Sequence, residues 1–474
     1  MASARGNEEL CWLSATELAA LIKRRRVSPV EVVDAVLARI DRVNPQLNAY
    51  VLVTADQARR EARAAERALG KRGTPLGPLH GVPFSVKDLV VTRGVRTTFG
   101  TPLYRDNVPA EDAPIVGRLK AAGAIMLGKT NTPTFGWIGA THNLLFGITR
   151  NPWNLDRTPG GSSGGASAAA AAGLGPLHVG TDGGGSIRIP ASCAGIFGLK
   201  ASYGRIPTHP PSAAWSLSHV GPMTRTVADA ALMLQVCAGP DERDQYSLPA
   251  PETDYRKGLA GSVKGLRIAY ADDLGFADVV DPEVSAACAR AAKAFRELGA
   301  RVEEVQPRWP SPKDAWEQIF CGGIAARLAP YADRRDEIEP GLYHIIESAL
   351  KNPPTRYPQA WFDRLAWWQH PRAFFEKYDL LLTPTIACPP FKVGLDNPTE
   401  IAGRPVGAYA WIPFTYPFNL TGQPAASVPC GFTKDGLPVG LQIVGRRYDD
   451  AGVLRAAAAF ERARPWRQHR PPPR

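Results

Sequence analysis

Amphipathic helical stretches alternate with short apolar runs along most of this chain, and that alternation restricts its fold more than any other feature. Ser28, Pro29 and Glu31 form a capping box with proline at the first helical position, and Val32, Val33, Val36, Leu37, Ile40 and Val43 follow at helical spacing. Thr54 and Gln57 are expected to open the next helix in the same way, and Gly70 to close it. At Pro83–Lys87 the period changes to two: Phe84 and Val86 face one way, Ser85 and Lys87 the other, which places Lys87 near the end of a strand. A helix over 114–122 then feeds an apolar strand over 124–127. Later the pattern predicts a βαβ-like unit: strand 266–270, helix 282–298 with Asp281 as cap and Gly299 as stop, strand 301–305. An aromatic-rich helix over 357–369, a strand over 379–382, a hairpin across Asp435-Gly436 and a last helix over 449–462 complete the series. Such alternation marks an α/β protein. No internal repeat and no clean linker is visible.

Two glycine clusters interrupt this order. The segment NPWNLDRTPGGSSGG, 151–165, is too rich in proline, glycine and serine for regular structure, yet runs directly into the helix former 166–172. Gly183, Gly184 and Gly185 follow an expected strand over 177–180. The two turns are expected to face each other.

Composition narrows the function. With 44% hydrophobic and 21% charged residues the chain can bury a large core. The formal charge of +11 raises the question of a nucleic-acid or anionic-membrane partner. The basic residues are scattered, however: Arg59, Arg60, Arg63 and Arg67 interleave with Asp56, Glu61 and Glu66, and the run Lys23 to Arg26 ends a short helix, where cations complement the backbone dipole. No nucleic-acid partner is expected. The seven cysteines, at 11, 193, 237, 288, 321, 388 and 430, form no Cys-x-x-Cys pair, which fits a reducing cytoplasm. The polar stretch 2–9 lacks the apolar core of a secretion signal, and no apolar run is long enough to span a bilayer, so no membrane association is expected.

Two short patterns match well-known motifs and fail on context. Gly123-Ala-Ile-Met-Leu-Gly-Lys-Thr130 has the spacing of a nucleotide-binding P-loop, but its intervening residues read as an apolar strand, and Asn131-Thr132-Pro133 is no helix start. Gly161-Ser-Ser163-Gly-Gly165 has the spacing of a nucleophile elbow, which needs a strand before it; coil precedes it here. That chemistry also needs a histidine, and His178, His209, His219, His344, His370 and His469 all lack a distinctive setting. No His-Glu-x-x-His helix signals a metal, and no cofactor is expected.

Three further segments occur together: GVPFSVKD at 81–88, PGGSSGG at 159–165 and GTDGGGSIRIP at 180–190. Singly each has an ordinary use, as surface lysine, flexible loop or helix cap. Together, with PFNLTGQPAASVPCGF from Pro417 and GLPVGLQIVGRR from Gly436, they resemble the amidase-signature family over almost the whole chain. The resemblance implies one large α/β domain over 1–474, a central mixed sheet covered by helices on both faces, with a more variable helical insert at about 255–400. It implies attack by Ser186, proton relay by Ser162, held by a cis peptide bond in relatives, and Lys87 as final base. Gly183, Gly184 and Gly185 become the oxyanion turn, and Ser163, Asp182 and Arg188 the supporting polar shell.

The chemistry needs these residue types. A serine hydroxyl is a poor nucleophile until a base takes its proton, and a Ser-Lys pair is a known alternative to Ser-His-Asp. Lysine must be neutral for this, against an ordinary pKa of about 10.4, and burial supplies the shift by disfavouring the ammonium. Glycines let backbone N–H groups approach the scissile carbonyl closely. Thr134, where relatives often carry an acid, and Cys193-Ala194, in place of a common Phe-Cys pair, depart from the family pattern and can alter the acyl pocket. Cys193 reads as a small core residue.

The substrate expected from the resemblance is a small or medium hydrophobic amide, anilide or carbamate, acted on by a stand-alone enzyme that is compatible with a homodimer. Trp137, Trp215, Trp361, Trp367, Trp368 and Trp411, with Phe135 and Phe146, are candidates to line its pocket. The alternative within the family is the glutaminase-type component of a tRNA-dependent amidotransferase, which the positive charge favours. A non-catalytic binding protein is the third reading, against which the intact triad argues.

Overall fold

The computed structural model describes residues 8–71, 73 and 75–472. Eleven strands build one mixed sheet: β1 (Tyr50–Val53), β2 (Pro83–Lys87), β3 (Ile125–Thr130), β4 (Leu177–Asp182), β5 (Phe197–Lys200), β6 (His219–Thr224), β7 (Arg267–Tyr270), β8 (Arg301–Glu304), β9 (Leu380–Pro384), β10 (Ala425–Phe432) and β11 (Pro438–Gly445). Their order across the sheet is β1-β3-β2-β4-β6-β5-β10-β11-β9-β7-β8. β2 lies parallel between β3 and β4, β4 runs antiparallel to β6, and β10 pairs antiparallel with both β5 and β11.

Both faces of the sheet are covered, and single strands show why. Ile268, Leu380, Leu382 and Ile443 join one core with the helices Val227–Cys237, Pro282–Glu297 and Asp450–Ala463, while Ala269, Leu381 and Val444 join another with Trp316, Phe320 and Ile324 of the helix Lys313–Leu328. Successive side chains point to opposite faces, so one strand feeds two cores. The chain forms a single α/β domain around this sheet.

Local signals behave as their physics dictates, with instructive exceptions. The Ser28 capping box forms and the helix runs Pro29–Leu47. The box expected at Thr54 does not. The Thr54 hydroxyl donates to Met126 O at 3.2 Å and Gln57 reaches Glu61 instead, because Thr54 is held against β3. The expected strand after Gly123 extends to Thr130, so Ile125–Thr130 of the P-loop pattern form a fully buried strand and not a phosphate-binding loop. The helix expected at 166–172 starts two residues earlier, Gly164–Ala171, and its first turn is packed too closely for side chains: a Cβ on Gly164 would lie 2.3 Å from Thr141 Oγ1, and one on Gly165 2.3 Å from Asn131 N. The helix expected over 357–369 is Arg356–Trp367, and a separate helix, Gln369–Lys377, follows it.

Candidate active site

Lys87 ends β2, the third strand from one edge of the sheet and paired on both sides, and is fully buried. Three hydroxyls surround its Nζ: Ser162 Oγ at 2.7 Å, Ser163 Oγ at 2.9 Å and Thr181 Oγ1 at 2.9 Å. Burial holds its pKa well below the ordinary lysine value, and Asp182 pulls the other way. Hydroxyls suit a group that changes charge, because each can accept from an ammonium or donate to an amine. Ser163 is already committed: its hydroxyl donates to Thr181 O at 3.1 Å, and it accepts from Thr181 N at 3.2 Å. Lys87 is the hydrogen-bond partner of the Ser162 hydroxyl, so this proton is the one a neutral lysine can take. Ser162 follows a cis peptide bond from Gly161.

Ser186 lies on the turn between β4 and the helix Arg188–Ala194. The Ser163 N–H donates to the Ser186 carbonyl at 3.3 Å, which ties the two glycine turns together face to face. The Ser186 side chain makes no hydrogen bond among the described residues and opens on a cavity with Gly184, Trp137, Trp316, Phe320 and Tyr409.

The glycine turn is shaped by what surrounds it. Trp316 Nε1 donates to Gly183 O at 3.0 Å and Thr415 Oγ1 to Gly184 O at 2.7 Å, so both carbonyls are held from outside. A Cβ on Gly184 would lie 2.5 Å from Trp316 Cζ2. Gly185 departs from the expected role: its N–H donates to Asp182 Oδ1 at 2.7 Å and is not presented to a substrate. Its left-handed φ of +131° lets the chain turn back on that carboxylate. Among the described residues the N–H groups of Gly183, Gly184 and Ser186 have no acceptor.

Asp182 and Arg188 lie below the turn, both fully buried. Arg188 Nε and Nη2 grip the two carboxylate oxygens at 2.9 Å each. Its other protons go to Thr415 O, Gln442 Oε1 and Asn419 Oδ1, and Asn419 Nδ2 returns to Asp182 Oδ1 at 2.8 Å. Burial opposes the charge on Asp182, but Arg188 outweighs it and holds the carboxyl well below the usual carboxylate range.

Thr181, Thr415, Asn419, Gln442 and Trp316 were not singled out from the sequence. Thr181 is on the same strand as Asp182, so period two could have found it; Trp316 carries no local signal. Gly136 was also missed: its φ is +74°, and a Cβ there would lie 2.9 Å from Ser162 Oγ. Of the aromatic candidates, Trp137 lines the Ser186 cavity and Phe135 a second one of about 740 Å³ including its open mouth, with Leu89, Phe99, Ile115, Thr181 and Val220. Trp411 is core, packed on Phe391; Trp367 packs on Trp309; Trp215 and Trp361 lie against each other away from both cavities. Trp368 and Phe146 line neither. Thr134 and Cys193 line neither cavity as well; burial pushes the Cys193 thiol well up, so it is no second nucleophile.

Among the described residues no histidine bonds to Ser162, Ser163 or Ser186. His178 is bracketed by Ser85 Oγ and Gly175 O, and burial lowers its pKa to about 3. Among the described residues no three His, Cys, Asp or Glu side chains cluster as a metal site, and no helix is long and apolar enough to cross a membrane.

The chain matches the Amidase family over residues 31–454. It is 44% identical over 470 residues to an acylamidase of Rhodococcus erythropolis, covering 98% of both chains. It is 41% identical over 491 residues to the A-type component of the glutamyl-tRNA(Gln) amidotransferase of Moorella thermoacetica, covering 98% of this chain and 99% of that one. The crystal structure of a bacterial aryl acylamidase of the amidase-signature family superposes with a TM-score of 0.90 at 36% identity, over 96% of this chain and 97% of that one. The chain belongs to the amidase-signature family. Within it, this is an amidase, a hydrolase acting on C–N bonds.

Proposed function

We propose that this amidase hydrolyses a small or medium hydrophobic amide, anilide or carbamate through an acyl-enzyme on Ser186. Neutral Lys87 takes the Ser162 proton, Ser162 takes that of Ser186, and the Ser186 oxygen attacks the carbonyl. The N–H groups of Gly183, Gly184 and Ser186 receive the oxyanion, and the proton returns through Ser162 to the leaving nitrogen. Water then enters by the same relay, releases the acid and restores the serine. The hydrogen bond from Lys87 to Ser162 and the unclaimed N–H groups of the glycine turn support these roles.

One observation carries the substrate class: among the described residues neither cavity is lined by an aspartate or glutamate. Glutamine would bring a buried α-ammonium group with nothing to pair it, and an unpaired buried charge costs several kcal/mol. An uncharged aryl or alkyl group meets Trp137, Trp316, Phe320 and Phe135 instead. The identity to an acylamidase supports the same reading. The free thiols of Cys193, Cys237, Cys288, Cys321, Cys388 and Cys430 fit a cytoplasmic enzyme.

The test is a panel of glutamine, p-nitroanilides, aliphatic amides and an aryl carbamate, assayed with the purified protein alone for ammonia or amine release. Glutamine as the best substrate would overturn the substrate class. Ser186→Ala should remove turnover and labelling by a fluorophosphonate while the fold persists, since removing a hydroxyl opens little volume. Activity above about a hundredth of wild type would sink the nucleophile.

A further inference from the structure

One carboxyl group reaches the wall of this site from a distant helix. Glu339 precedes the helix Pro340–Leu350 and is only 5% exposed. Its Oε1 lies 2.8 Å from Thr134 Oγ1 and accepts from the Leu144 N–H at 3.4 Å, while Oε2 is buried without a partner. Among the described residues the titratable side chain that faces it is His142, whose Nε2 is already 3.0 Å from Asp396 Oδ1.

The proton count at Thr134 decides the state of this carboxyl. Thr134 Oγ1 lies 2.8 Å from Gly100 O as well as 2.8 Å from Glu339 Oε1. A hydroxyl carries one proton, and a carbonyl can only accept. With Glu339 ionised, Thr134 would satisfy one acceptor and press its lone pairs against the other. With Glu339 protonated, Oε1–H donates to Thr134 and Thr134 donates to Gly100, and every short contact holds a hydrogen. The unpartnered Oε2 agrees: a buried carboxylate oxygen without a donor costs far more than a carbonyl oxygen of a neutral acid.

We infer that Glu339 is held as a neutral carboxylic acid and is a positioning residue for the reaction, its proton clamping the 134–137 segment against Ser162 and Ser186. This rests on the roles proposed for those serines. Three residues hang on the clamp. Phe135 lines the larger cavity, Gly136 leaves room for Ser162 Oγ, and Trp137 lines the Ser186 cavity. The same helix start seats Trp137 directly: a Cβ on Gly341 would lie 2.6 Å from Trp137 Cη2. Burial of the carboxyl raises its pKa, which works in the same direction as the proton count.

The experiment is an infrared difference spectrum in D₂O at neutral pH, wild type minus Glu339→Gln, on the full chain without substrate. Subtraction removes other buried acids such as Asp229 and Glu461. The C=O stretch of a protonated carboxylic acid should appear in the difference; its absence overturns the neutral state. The amide of Glu339→Gln can donate to Thr134, so kcat/KM should stay within about threefold of wild type, whereas Thr134→Val and Glu339→Ala should each lose about tenfold, mainly in kcat. Ionisation of Glu339 at high pH should lower wild-type activity, and Glu339→Gln should lack that descending limb. A Glu339→Gln enzyme as impaired as Glu339→Ala, or a Thr134→Val enzyme at full activity, overturns the positioning role. Because the band needs no turnover, it tests Glu339 independently of whether Ser186 is the nucleophile.

Discussion

Replacing Arg188 by methionine tests the electrostatic floor of the site most directly. The guanidinium makes five hydrogen bonds, two of them to Asp182, and both side chains are wholly inaccessible to solvent. Methionine restores part of the volume but strands the Asp182 carboxylate in the interior, a change that costs about 3–5 kcal/mol. The acceptors on Thr415, Gln442 and Asn419 lose their donor as well. Against a total stability of about 5–15 kcal/mol, the variant should unfold at much lower urea, read by tryptophan fluorescence and far-UV circular dichroism. Adding Asp182→Asn removes the stranded charge, so the double variant should be less destabilised than the sum of the singles, by at least about 1 kcal/mol. Strict additivity would refute the argument. The same pair bears on catalysis, because the charge of Asp182 already acts to raise the Lys87 pKa. With Arg188 gone that charge is uncompensated, and any residual activity should rise at higher pH than in wild type. A limb that stays in place would show that Arg188 does not tune Lys87.

In the wild type, kcat/KM should rise with pH and level off below the ordinary lysine value, before the fall that ionisation of Glu339 brings at still higher pH, and Lys87→Ala should lose orders of magnitude and the rising limb with it; a profile flat across the alkaline range for a chemistry-limited substrate would point to another base. Stability gives an independent reading of the same residue. The folded pKa of Lys87 is depressed, so the unfolded chain binds more protons, and the cost of burying the ammonium falls as pH rises toward the unfolded value of about 10.4. Lys87→Met should therefore melt above wild type near neutrality, with the gap closing toward that pH. Gly184→Ala should cost about 10²- to 10³-fold in kcat, since the new Cβ collides with Trp316 and displaces the N–H donors; wild-type kinetics would exclude this turn as the oxyanion site.

What the sequence determined by itself is local. The alternation at Phe84 and Val86 put Lys87 at a strand end, the Ser28 cap set a helix start, and the glycine clusters announced turns with too little side chain to be core. These signals work because helix and strand periods are written over a few residues, and caps and turns over fewer still. Nothing local says that the Gly185 N–H turns back to Asp182. Only the tertiary structure decided what encloses the site. Arg188 is satisfied by Thr415, Asn419 and Gln442, which lie 227, 231 and 254 positions away, and Thr134 meets Glu339 across 205. Trp316 closes the glycine turn from a helix whose sequence gives no sign of it. Such contacts depend on the order in which eleven strands join one sheet, and that order is fixed by how the two cores pack on its faces, a property of the whole chain that no short window contains.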